Sequence, residues 1–84
     1  MVIRMGIINE VIQSVCDILD VRETRIDIYY IRFGFMFNFS YSVNINRILD
    51  LHDLYDWRVK DIVNEIIDNI EYEFLNKTIR KMED

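Results

Sequence analysis

The sequence predicts an α+β domain: an N-terminal helix, an antiparallel β-hairpin and a long C-terminal helix packed on one face of the sheet. Three observations predict it. Apolar residues recur at three- and four-residue spacing over 7–20, aromatic residues alternate with polar ones over 35–43, and a second apolar stripe at helical spacing runs from Val59 to Phe74. With 84 residues, of which 51% are hydrophobic, the chain suits one domain over 1–84 that folds without disulfides or a structural metal.

In the first helix Ile8, Val11, Ile12, Val15, Ile18 and Leu19 form the apolar face, with Asn9, Glu10, Gln13, Ser14 and Asp17 between them. Gly6 is a modest cap, so residues 1–5 either extend this helix or form a short extra strand. Arg4 and the apolar residues after it resemble the start of a secretion signal, but Asn9, Glu10 and Gln13 interrupt the apolar core too early for one.

From Thr24 the period changes to two. Phe35, Phe37, Phe39, Tyr41 and Val43 form one face of a strand, and Met36, Asn38, Ser40 and Ser42 the other. A two-residue loop at Phe33-Gly34, for which Phe33 is an awkward first residue and a longer bulged loop the alternative, sets Arg32 opposite Phe35, Tyr30 opposite Phe37, Ile28 opposite Phe39 and Ile26 opposite Tyr41. The phenylalanine row then faces the helices, while Tyr29, Ile31 and Met36 point outward with Phe33 at the tip. Residues 44–55 fit a short helix through Ile48, Leu51 and Tyr55, with a third strand through Ile45, Arg47, Leu49 and Leu51 as the alternative. The last helix is expected over 57–81, capped by Asp56, with Leu75, Ile79 and Met82 continuing its stripe and Lys77, Arg80 and Lys81 suiting its C-terminal dipole.

The net charge of −5 is concentrated in one segment: residues 50–73 hold eight acids against Arg58 and Lys60, whereas residues 1–49 balance five against five. A nucleic-acid binder displaces phosphate counterions with lysine and arginine, so direct DNA or RNA contact is disfavoured. Cys16, the single cysteine, sits on the apolar side of its helix, where an inert thiol in a reducing cytoplasm is expected. The chain has neither alanine nor proline and is rich in isoleucine, asparagine, aspartate and tyrosine. AT-rich coding, as in a low-GC bacterium or its phage, and a dense β-branched core both produce such a bias.

The most enzyme-like cluster is His52 with Asp50, Asp53 and Asp56, which fits a divalent-metal or acid/base site only if the whole segment is helical; capping acids beside a surface histidine explain the same residues. Neither Gly6 nor Gly34 belongs to a phosphate-binding loop. We expect no catalytic residues, no metal and no cofactor.

Two features suit a binding role. Asp61, Glu65, Asp68 and Glu71 form an acidic stripe that matches a basic groove, including one that otherwise holds nucleic acid. Tyr29, Ile31, Phe33 and Met36 offer apolar anchors to a partner protein. The helix–strands–helix order resembles that of double-stranded-RNA-binding domains, but the final helix here starts Asp53-Leu-Tyr-Asp56-Trp-Arg-Val-Lys-Asp61, acidic where those domains are basic, and no family follows. The sequence thus leads to a small cytoplasmic protein-binding module without a membrane segment, of the kind a phage or mobile element uses to inhibit a host nucleic-acid-handling protein. A homodimer joined through the hairpin is the alternative.

Overall fold

A computed structural model describes the backbone of residues 2–83 and the side chains of 5–77. The order is α1 (Val2–Ile18), β1 (Glu23–Ile26), β2 (Tyr30–Gly34), β3 (Ser40–Asn44), α2 (Ile45–Asp53) and α3 (Val59–Glu83). The α+β class and the expected sequence of helix, antiparallel strands and long helix therefore hold, with residues 45–53 helical and the third strand lying earlier, at β1.

The sheet order is β1-β2-β3, antiparallel throughout, and its register differs from the expected one. The stretch expected as one strand breaks at Asp27–Tyr30, where the Asp27 N–H donates to the Tyr30 carbonyl at 2.8 Å and the Asp27 carboxylate accepts the Ile28 N–H. Phe33-Gly34 is no turn. Gly34 pairs with both Glu23 and Ser40, and a Cβ on it would come within 3.3 Å of Glu23 Cβ, so its bareness serves strand packing. The reversal between β2 and β3 is instead made by Phe37 (φ 63°) and Asn38 (φ 58°), with the Phe39 N–H reaching the Met36 carbonyl at 3.4 Å. Two successive positive φ values match the right-handed twist of the strands they join.

This register pairs Ile31 with Val43 and Phe33 with Tyr41, which turns Ile31 and Phe33 into the core. Arg25, Arg32 and Ser42 form one row across the opposite, uncovered face. The reason is electrostatic: the expected register put Arg32 on the apolar face, where a guanidinium would lose hydration without a counter-charge. Reversing the parity leaves it in water.

Among the described residues fifteen are buried, all apolar, and eleven of them are isoleucine or valine. Ile8, Val11 and Val15 of α1, Ile48, Leu49 and Leu51 of α2 and the Ile62–Ile70 stretch of α3 close over Ile31, Phe33 and Val43. Each such side chain contributes about 1.5–3 kcal/mol when fully removed from water. Asn44 caps α2, its Oδ1 accepting the Asn46 N–H at 2.8 Å.

Asp56 does not cap α3. It lies in the connecting loop at φ 56°, and the helix starts after Arg58, whose backbone N–H donates to Asp61 Oδ2 at 3.0 Å while its carbonyl accepts from Asp61 and Ile62. The side chain three positions into the helix thus reaches back to the capping residue. With 25 residues α3 is about 37 Å long, in a molecule 46 Å along its longest axis. Beyond Ile70 it exposes Tyr72, Phe74 and Leu75; Ile79 and Met82, expected to extend its stripe, lie outside the described side chains.

Candidate functional site

The Phe37-Asn38 turn brings the aromatic-rich segment back over the end of the core, and a cleft of about 270 Å³ forms there between the turn, the end of α1 and the middle of α3. Phe39 is its floor, 6% exposed, with its ring centre 5.6 Å from that of Phe35 in a tilted pair and edge-on to Phe74 at 5.4 Å. Lys77 holds the turn from the far side, with Nζ 5.7 Å from the centre of the Phe39 ring and 3.3 Å from the Asn38 carbonyl that accepts its proton. Leu19 and Ile70 complete the apolar wall, and Asp20 and Glu71 stand at the mouth.

The two acids at the mouth differ. Arg22 Nη2 pairs with Asp20 at 3.1 Å and also donates to Met36 Sδ at 3.2 Å, which ties the α1 side of the cleft to the turn and neutralises its acid. Glu71 has no such partner among the described residues and continues to Asp68, one turn earlier on α3, equally exposed.

Of the four acids expected as a stripe, two serve the fold. Asp61 accepts the Arg58 N–H, and Glu65 pairs with Arg47 of α2 at 2.6 Å. Asp68 and Glu71 remain directed at solvent. The expected apolar face of the hairpin is corrected more strongly. Ile31 and Phe33 are fully buried, so neither presents itself to a partner or to a second copy. Tyr29 and Met36 are exposed at 59% and 48%, but they lie in the turns before and after β2, at opposite ends of that strand. They cannot form one patch.

Of Phe35, Phe37 and Phe39, expected as core, Phe39 is buried there and Phe35 packs half-buried against it, whereas Phe37 is 75% exposed; all three also form the turn side of the cleft. The density of aromatics in 33–39 carried this signal, since a two-residue turn anywhere inside it must leave at least one ring outside the sheet.

His52 Nδ1 lies 3.1 Å from Asp53 Oδ1, and among the described residues no three of histidine, cysteine, aspartate and glutamate converge as metal ligands. Cys16 is half-buried against the core, its Sγ 3.7 Å from Thr24 Oγ1. No helix among the described residues is long and apolar enough to cross a membrane.

Tyr41 packs beside α3, where burial raises its phenol above the usual 10.0. The Asn69 hydrogen bond opposes that shift, the Glu65 and Glu73 carboxylates add to it, and Arg47 opposes it. The folded protein therefore holds this proton to higher pH than the unfolded chain. The associated stability is complete below the ordinary tyrosine range, near pH 10, and is lost as pH rises through the raised value. Urea midpoints followed across that range should fall more steeply for the parent than for Tyr41→Phe; parallel curves would count against the burial of this hydroxyl.

Together these features define a class: a small α+β domain whose apolar, phenylalanine-lined concavity opens beside an acidic helix. Comparison with protein-family models, with curated proteins and with solved structures gives no match to this chain.

Proposed function

We propose that the protein is a binding module that docks on another protein, presenting the phenylalanine cleft together with Asp68 and Glu71 to a basic, partly apolar site. The observation that carries this reading is the cleft. Four of the five phenylalanines of the chain line a surface opening, in a domain whose fifth, Phe33, fills the core. Grouped apolar and aromatic side chains at a surface supply most of the energy of protein contacts, and adjacent charges of one sign select the partner and speed encounter. Inhibition of a host nucleic-acid-handling protein by a phage or mobile-element product suits this chemistry, because carboxylates on a rigid helix can occupy a groove built for phosphates.

The acidic half of the reading is tested with Asp68→Asn and Glu71→Gln, which leave the Asp61 cap and the Arg47–Glu65 pair intact. In a nuclease-treated pull-down from cells that express the protein, the parent should retain a partner at low salt and lose it as salt rises, and the double variant should retain several-fold less. Equal retention by both, with the same salt dependence, would remove the acidic face from the interface.

A further inference from the structure

The cleft and its surroundings restrict what the partner can offer. At about 270 Å³ it lies just below the roughly 300–1,000 Å³ of small-molecule sites, and its walls are aliphatic, aromatic and thioether groups with no hydroxyl, amide or imidazole side chain to orient a polar ligand. A single large side chain matches that space. The acids are distributed unevenly about the mouth, since Asp20 is held by Arg22 while Glu71 and Asp68 are open to water on the α3 side. No lysine or arginine lines the opening among the described residues.

Phe37 gives an independent indication. It adopts φ 63°, a region in which a side chain with a Cβ crowds the backbone, and 75% of it is exposed, so the monomer recovers little apolar burial in return. Strained backbone of this kind concentrates where a ligand is gripped.

We infer that the cleft takes one bulky apolar side chain, aromatic or large aliphatic, from a partner segment that carries lysine or arginine on the side facing α3. This rests on the docking reading above and names the partner's chemistry. Phe74 and Phe39 receive the anchor, Phe37 closes on it from the turn, and Glu71, followed by Asp68, takes the basic residue. Met36, unbranched and held at its sulfur by Arg22, adapts the wall to the anchor's shape.

The test is a titration of the full chain, followed through its backbone amide resonances, with three synthetic peptides of equal length. One has a central tryptophan between lysines, the second the same tryptophan between glutamates, and the third alanine in place of tryptophan between lysines. The lysine–tryptophan peptide should give saturable shifts at Leu19, Phe35 to Phe39 and Ile70 to Phe74. Alanine in place of the anchor should weaken binding by on the order of tenfold, and the flanking glutamates by about two- to fivefold.

Glu71→Gln should reduce the lysine–glutamate difference, and Phe37→Ala, at an exposed position, should weaken all tryptophan binding without unfolding the chain. Absence of saturable shifts from every peptide, or shifts centred elsewhere, overturns the inference, as does equal affinity of the lysine and glutamate peptides. Residues 77–82 have the same chemistry in sequence, so concentration-dependent shifts of the cleft amides in the chain alone would give the site to a second copy and overturn the foreign anchor. Failure here with a salt-sensitive partner retained in the pull-down would leave docking standing and remove only the anchor.

Discussion

Phe33→Ala should destabilise the protein by about 3–5 kcal/mol, whereas Phe37→Ala, four residues on in the same aromatic segment, should change stability by less than about 0.5 kcal/mol. Phe33 is fully enclosed at the centre of the sheet, paired with Thr24 on one side and Tyr41 on the other, and it is the largest of the wholly buried side chains. Its removal leaves a cavity bordered by strands that cannot close over it. Small domains hold only about 5–15 kcal/mol in total, and each kilocalorie lowers the melting midpoint of a domain this size by roughly 4–8 °C, so the variant should melt well over ten degrees below the parent or fail to fold. Thermal and urea unfolding of the two variants decide between registers. Were the Phe35–Phe37–Phe39 row the core face, Phe37→Ala would be the damaging change and Phe33→Ala the mild one. The same burial alters what Ile31→Lys means: on an outer dimer face it would yield folded monomers, but at a position with no exposure it should abolish folding, because a lysine there has neither water nor a partner.

The helices were legible because their period is carried by many residues. Ile8, Val11 and Val15, and Ile62, Ile66 and Ile70, are spaced as one face of a helix must be, and each is buried. Element ends were less legible. Asp56 had the right chemistry for a cap, but Asp61 was better placed to reach back to the Arg58 N–H, a choice that depends on the path of the loop from α2. The sheet register is obscured in the sequence for a local reason. Gly34 is the residue that usually makes a tight turn, and the adjoining alternation was self-consistent around it. What outweighed both was the parity of Arg25 and Arg32, seven positions apart, which a turn at Ile28-Tyr29 places opposite one another on the solvated face. Like charges directly opposed across two strands cost a few tenths of a kilocalorie to about 1 kcal/mol, less than burying either one. Of the candidate site, the acids of α3 were visible in sequence, but the division between structural Asp61 and Glu65 and outward Asp68 and Glu71 was not, since it depends on where the helix starts, which leaves the Arg58 N–H to Asp61, and on Arg47 arriving from α2.

Replacing Phe37 by asparagine should stabilise the protein by about 1 kcal/mol and weaken docking at the cleft. Asparagine tolerates the left-handed region because its short amide can bond locally to the backbone, and Asn-Asn is a far more ordinary pair than Phe-Asn for a turn in which both central residues have positive φ. Removing the ring sacrifices little packing, because three-quarters of it is in water. The expected rise in melting midpoint is roughly 4–8 °C, read by calorimetry, and the matching readout is the affinity of the lysine–tryptophan peptide. A variant that is more stable and binds less would mean that this phenylalanine is kept at a cost to the fold, as residues at binding sites often are. A variant that is less stable would mean that Phe37 packs usefully on the cleft wall, and the strain at this turn would then give no support to a docked side chain.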